Sequence, residues 1–238
     1  GVLRLWAARS NKPFDFHAFG QGEYMRAMNE QAEAEMITKV LYPSDNHDEG
    51  KILRLKQEYF LVSAAMQNVV SDHMKRYGTF ENFTKMVAVH INDTHPALAV
   101  AELMRIFVDE YRMNWDYAWS LVKDVCAYTN HTVMAEGLEC WPEYMYKSLL
   151  PRIYQIVVEI NERACRDFWA KTQDWKKVSD LAVVAYGQVR MANLSVIGSH
   201  MVNGVSALHS EILKKELFKD FYALEPDKFT NVTNGIAH

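Results

Sequence analysis

Three of the nine histidines in this 238-residue chain follow short apolar runs, in company with amides and an acid. Ile91 leads to Asn92, Asp93 and His95. Thr129 leads to Asn130 and His131. Ile197 leads to Gly198, Ser199, His200 and Asn203, and Val232 leads to Thr233, Asn234 and Gly235. These side chains donate and accept hydrogen bonds while carrying little net charge, an inventory that suits a neutral polyol better than a phosphate or a base edge. Each group read singly is also what a turn requires. Four such ends together favour a site, because ligands of open parallel α/β sheets sit beyond the carboxyl ends of the strands. A zinc set built from His95, His131, His200 and Asp93 is disfavoured, since no His pair has the i, i+4 spacing of the H-E-x-x-H kind. No G-x-S-x-G elbow and no G-x-x-x-x-G-K-[ST] phosphate loop occurs.

The elements that must carry these residues are legible in the apolar pattern. Met86–Ile91, Val125–Thr129, Leu181–Ala185 and Phe229–Val232 read as short buried strands. Met191–Ile197 is an apolar run open to either reading. Helices are expected over about 97–111, from Asn114 as cap to Val125, over 151–172 with Ile153, Ile156, Val157 and Ile160 inward, and at the far end of 202–215. Pro142 and Pro151 stand where helix starts tolerate proline. Ile52, Leu55, Tyr59, Val62, Met66, Val69 and Met74 make one helical face, begun by Asp48 and Glu49 and stopped by Gly78. The run from Gly22 to Val40 is helical but polar nearly all round, so it either lies in solvent or packs on a subunit. Residues 41–50 form a loop. Trp115 and Trp119, at helical spacing, are expected in the core. Strands alternating with helices argue for an α/β fold with a largely parallel sheet.

Composition narrows the function. The chain is 49% hydrophobic and 24% charged, with net charge −4. Those values disfavour disorder, and a sequence-wide basic footprint for nucleic acid is absent. No apolar run reaches the roughly 20 residues that span a bilayer, and the N-terminus lacks the pattern of a signal peptide. Cys126, Cys140 and Cys165 have no C-x-x-C spacing, so reduced thiols and a cytoplasmic location are expected. The sequons at Asn82, Asn92, Asn130, Asn193 and Asn231 are accordingly not read as glycosylated. An apolar start without Met, and an end just past a turn signal, lead us to expect a piece of a longer protein.

The chain resembles the α-glucan phosphorylases. The residues that carry the resemblance are Leu3-Arg4-Leu5-Trp6, Val40-Leu41-Tyr42-Pro43 with Asp45-Asn46, and Leu53-Arg54-Leu55-Lys56-Gln57-Glu58-Tyr59-Phe60. Further matches are Asn92-Asp93-Thr94-His95-Pro96-Ala97-Leu98-Ala99, Ala127-Tyr128-Thr129-Asn130-His131-Thr132-Val133, Val202-Asn203-Gly204-Val205, Leu224-Glu225-Pro226-Asp227-Lys228-Phe229 and Thr233-Asn234-Gly235-Ile236. The resemblance covers all 238 residues in motif order. It implies a fragment, residues 1–238, from the second half of the N-terminal lobe of a two-lobed glycosyltransferase-B-type (Rossmann-like) fold, with the C-terminal cofactor-binding lobe outside the chain. The implied activity of the parent is reversible phosphorolysis of α-1,4-glucan to glucose 1-phosphate, with the glucan and inorganic phosphate as substrates. The implied cofactor is pyridoxal phosphate, whose phosphate group handles the proton and whose lysine lies outside this chain. No nucleic-acid or membrane partner is implied.

By the same resemblance His131 contacts the reacting glucose, and Asn234 hydrogen-bonds near its 6-hydroxyl. Asp45 and Asn46 form the gate loop, Asn46 reaching the sugar, and Asp93 and His95 contact the acceptor-side glucan. The helix around Tyr24–Ile37 is implied to join a homodimer. Departures are Ser44 for an asparagine, Ala101 for a proline, Ala135-Glu136-Gly137 for Pro-Glu-Ala, and Ala237-His238 for Thr-Pro. Ser71-Asp72 stands where muscle-type enzymes carry an arginine pair for AMP phosphate. The alternative from another class is a stand-alone, non-catalytic glucan-binding module, which the length of the parent reading frame would distinguish.

Overall fold

The computed structural model describes residues 2–235 and divides into two compact units, Gly1–Ala64 and Ala65–His238, with the boundary inside one long helix. Ile236, which ends the last matching motif, and Ala237-His238 lie outside the described residues.

The first unit begins with residues 2–15, which form neither helix nor strand. Helix α1 (Phe16–Gly20) is capped by the Asp15 carboxylate, which accepts from the Ala18 N–H. Phe14, Phe16, Phe19 and Tyr24 pack as an aromatic chain with centroids 5.0–5.6 Å apart. Helix α2 (Tyr24–Lys39) buries only Ala27, as its polarity all round predicts. Helix α3 (Asp48–Tyr77) carries Asp48 and Glu49 in its first turn and Lys75 and Arg76 in its last, each complementing the helix dipole. The expected apolar face is present: Leu55, Val62 and Met66 are buried and Ile52, Tyr59, Val69 and Met74 half-buried.

The second unit is built on a four-stranded parallel sheet. Helix α4 (Phe83–Met86) leads to β1 (Val89–Asn92), so Met86, expected in the strand, ends a helix instead. Helix α5 (Ala99–Arg105) runs into a π-helical turn at Ile106–Glu110, and α6 (Trp115–Val125) follows, capped by the Asn114 side chain. Strand β2 (Cys126–Thr129) pairs parallel with β1. Helix α5 is buried on almost every side. Its one acid, Glu102, is fully enclosed and receives both a 2.8 Å and a 2.9 Å bond from Arg105, which keeps a buried charge from standing alone. Trp115 and Trp119 are half-buried and line a surface cleft, a correction to the expected core placement. An indole can cover apolar surface without being enclosed, so spacing alone does not separate the two outcomes.

A second, antiparallel sheet interrupts the pattern. Strand β3 (Cys140–Pro142) precedes α7 (Glu143–Leu149), α8 (Pro151–Thr172) and α9 (Trp175–Leu181). Then β4 (Val184–Ala185) and β5 (Gln188–Arg190) form a hairpin in the order β3-β5-β4. The expected strand Leu181–Ala185 is thus reduced to two residues. Leu181 closes α9, and the Asn161 side chain accepts from the N–H groups of Val183 and Val184 at 2.8 and 3.1 Å, bonds that compete with a strand ladder.

Helix α10 (Met191–Gly198) returns the chain to the main sheet, packing on α5 and β2. The open reading of Met191–Ile197 resolves as helix, so Ile197 is no strand end. Strand β6 (Met201–Gly204) begins after it, and His200 donates its N–H to the carbonyl of Cys126, at the amino end of β2. Ser199 and His200 therefore sit at the opposite end of the sheet from the other polar groups. Helices α11 (Ala207–Ile212) and α12 (Lys219–Leu224) lead to β7 (Phe229–Asn231), completing the order β1-β2-β6-β7.

The amino end of α8 is tied down by charge. Arg152 donates to both oxygens of Asp109, at 2.6 and 2.8 Å, and holds that carboxyl below the usual aspartate range. A lowered folded value means the pair stabilises the fold above the ordinary aspartate range and is lost as pH falls through the lowered value. Asp109→Asn is expected to cost up to about 1 kcal/mol at neutral pH and progressively less at an acid pH that protonates the lowered carboxyl. Urea melts at the two pH values check this.

Candidate functional site

The site is built from one register. Asn92 pairs with Thr129, Thr129 with Asn203, and Asn203 with Thr230. In-register residues of parallel strands share a face, so four hydrogen-bonding side chains form a row across all four strands at or next to their last positions. Thr129 Oγ1 donates to Asn203 Oδ1 at 2.6 Å. Its single proton is then committed, so His90 Nε2, at 2.5 Å, donates to it. Asn203 Nδ2 donates to the Gly204 carbonyl at 3.0 Å. Thr129 and Asn203, both buried, are thereby paired.

The residues expected to do chemistry sit just beyond it. Asp93 follows β1 with φ +57°, a left-handed conformation that Asp tolerates better than most residues. Its N–H donates to the Thr129 carbonyl at 2.8 Å, and its Oδ1 accepts from the Thr94 N–H. His95 is half-buried in the turns before α5. His131 is exposed two residues after β2, with Nε2 2.7 Å from Asn92 Oδ1. Asn234 is exposed beyond β7, and its N–H donates to the Val205 carbonyl at 3.0 Å. The topology brings Asp93, His95, His131 and Asn234 to the same edge of one sheet.

Asp45 and Asn46 belong to the first unit. Arg54 of α3 donates to Asp45 Oδ2 at 3.1 Å and lies 5.9 Å from the centre of the Tyr42 ring. Gln57 Nε2 donates to the Val40 carbonyl at 2.8 Å. Asn46 is exposed. The loop is drawn in so far that a Cβ on Gly50 would lie 1.7 Å from the Ser44 carbonyl oxygen, so only glycine fits there.

Two residues absent from the expected set hold the His131 loop. His209 is buried, and its Nδ1 accepts from the Val205 N–H at 3.2 Å while Nε2 donates to the Thr132 carbonyl at 3.1 Å. The neutral ring alone can do both. Gly204 lets this corner close: a Cβ there would lie 2.6 Å from Ser210 Oγ and 2.9 Å from Ser210 N. Ser210 Oγ in turn donates to Asn231 Oδ1 at 2.9 Å, which carries the same corner to β7. The sequence signal for His209 is weak, a capping Ser206 three residues earlier. Beneath the loop Asn130 Nδ2 donates to the Tyr128 hydroxyl at 2.9 Å, Asn130 Oδ1 is buried without a partner, and burial raises the Tyr128 phenol above its usual range, so it stays protonated.

Chemically, this edge offers imidazoles, amides and one carboxylate. It matches a neutral polyhydroxylated ligand. Among the named residues of the edge there is no Lys or Arg, so it builds no cradle for an anionic cofactor. His209→Ala is expected to leave the half-buried Val205 N–H and Thr132 carbonyl without their partner, a loss of about 1 kcal/mol for each. The checks are a lowered thermal midpoint and faster amide exchange at Val205, with β1 amides less affected.

Comparison with known proteins gives the chain its kinship. The Phosphorylase family profile, described as carbohydrate phosphorylase, matches residues 1–238. The chain is 48% identical over 238 residues to the glycogen phosphorylase of Bacillus subtilis (strain 168), covering 100% of this chain and 29% of the relative. It is 48% identical over 247 residues to the human muscle form and 47% identical to the brain form of Bos taurus, each covering 99% of this chain and 29% of the relative. The chain thus spans under a third of the length of these curated relatives, and with a match over its whole length it belongs to the carbohydrate phosphorylase family.

Proposed function

We propose that this chain is part of a glycogen phosphorylase, an enzyme that reversibly cleaves α-1,4-glucan with inorganic phosphate to give glucose 1-phosphate. The observation that carries the reading is the carboxyl edge of the parallel sheet, where His131, Asn234, Asp93 and His95 offer hydrogen bonds with little charge. The names of the relatives support the same reading. In the proposed roles His131 and Asn234 contact the reacting sugar, Asp93 and His95 the acceptor-side glucan, and Asp45 and Asn46 the substrate from the gate loop. The glycosidic C1–O bond breaks, the leaving glucan oxygen takes up a proton supplied by inorganic phosphate to become a hydroxyl, and a phosphate oxygen bonds to C1. Hydrogen-bonding groups fixed around the sugar before charge develops there stabilise the transition state more than the ground state.

The family resemblance implies pyridoxal phosphate for the whole enzyme. The edge residues do not fit that group, for want of cations, and we place its lysine outside this chain. Alone, the chain is expected to hold no cofactor covalently and to lack phosphorolysis, since one wall of a cleft cannot keep sugar and phosphate in register. We read α2 as a contact between two copies in the whole enzyme. Its exposed Tyr24, Met25, Met28 and Met36 are consistent with that role. Among the described residues no helix is long and apolar enough to cross a membrane, and a cytoplasmic location remains our reading.

In the full-length enzyme His131→Ala should lower phosphorolysis by about 10²–10³-fold, the scale for losing one preorganised polar contact to the reacting centre, with a smaller effect on glucan affinity. Initial-rate kinetics decide it, and a rate within threefold of wild type contradicts the role. AMP should activate little through the end of α3. Asp72 accepts from Asn68 Nδ2 at 2.8 Å there, and Ser71 offers no guanidinium fork to a phosphate. Strong AMP activation abolished by substitutions at Ser71 and Asp72 would overturn this.

A further inference from the structure

We propose that Asn92 is a positioning residue for His131: it fixes the imidazole as the Nε2–H tautomer and so turns Nδ1 into a hydrogen-bond acceptor. The inference rests on the reading that His131 faces a sugar, and it adds which way the ring is polarised. Asn92 Oδ1 can only accept, so at 2.7 Å the His131 Nε2 must carry the proton. In a neutral imidazole Nδ1 then holds a lone pair. The group presented to a ligand is an acceptor, suited to a hydroxyl that donates rather than to a carboxylate or phosphate oxygen.

The geometry around Asn92 supports an anchored role. It is the last residue of β1, in register with Thr129, so its Cα is set by the strand ladder. The next residue cannot drift, because the Asp93 N–H extends the ladder onto the Thr129 carbonyl at 2.8 Å. On the other side, Thr132, next to His131, is held through its carbonyl by the buried His209. The exposed His131 ring is thus gripped at Nε2, and its backbone is gripped one residue on. Among the described residues, His131 Nδ1 makes no hydrogen bond.

The test reads tautomer and turnover separately. The 238-residue chain is labelled with 15N-histidine, and His131→Gln identifies the signal. At about pH 8, above the ordinary imidazole range, the wild-type ring should show the Nε2–H pattern. Asn92→Ala should give an averaged pattern of both tautomers. Asn92→Asp, which keeps an acceptor oxygen, should restore the Nε2–H form. In the full-length enzyme Asn92→Ala should lower kcat/KM about 10-fold, the scale seen when a partner that orients a functional histidine is lost, and Asn92→Asp should recover part of it. A wild-type ring in the Nδ1–H form, or a pattern unchanged by Asn92→Ala, overturns the proposal. So does unchanged kcat/KM in Asn92→Ala where His131→Ala is crippled. If His131→Ala itself turns over normally, the sugar-contact reading fails, while the 15N pattern still decides whether Asn92 sets the tautomer.

Discussion

The Thr129 hydroxyl has one proton and two neighbours that want it, and the polar edge of the sheet depends on how that is settled. It gives the proton to Asn203 and receives one from His90, linking three strands through a single oxygen. Were Thr129 replaced by valine, the shape would be kept, but Asn203 Oδ1 would lose its donor inside the protein. The cost of such orphaned groups is what makes a buried polar row specify one register rather than several. The main chain extends the arrangement: Asp93 bonds to the Thr129 carbonyl and Asn130 to the Asn203 carbonyl, both past the ends of the strands. The loops that carry Asp93 and His131 therefore leave the sheet at positions the ladder sets.

Much of this was legible in the sequence where one period dominated. The helix Pro151–Thr172 and the face of α3 were readable because long apolar stripes at helical spacing have few alternatives. Met191–Ile197 was not, because a short unbroken apolar run fits a buried helix as well as a buried strand. That ambiguity displaced His200 to the wrong end of the sheet. Leu181–Ala185 misled for another reason: a side chain remote in sequence, Asn161, takes up the backbone donors that a strand would have used. The candidate residues Asp93, His95, His131 and Asn234 stand out in the sequence by their place after apolar runs, and the structure puts them at one edge of the sheet. His209 does not stand out, since a lone histidine on a short helix carries no local sign that it bridges two loops.

The division into two units bears on how the chemistry is distributed. The second unit carries its polar row on strand ends, where register sets the spacing. The first unit carries Asp45 and Asn46 on an exposed loop, restrained by Arg54 and by a glycine with no room for a side chain. Loops of this kind open at lower free-energy cost than strands, and elements that gate access are drawn from them.

Asp93 joins backbone and chemistry in one residue. At φ +57° the position accepts Asp, Asn or Gly readily and strains nearly everything else. Of those three only Asp brings a negative charge. Most single substitutions that removed the carboxylate would therefore also disturb the turn that launches α5. Two do not, and they separate the effects: asparagine keeps the turn and its side-chain acceptor without the charge, and glycine keeps the turn alone. The edge strand thus has little freedom to lose its acid gradually. Genetic drift at this codon meets a folding penalty along most routes, so the charge is guarded by the geometry of the turn as well as by any use the ligand makes of it.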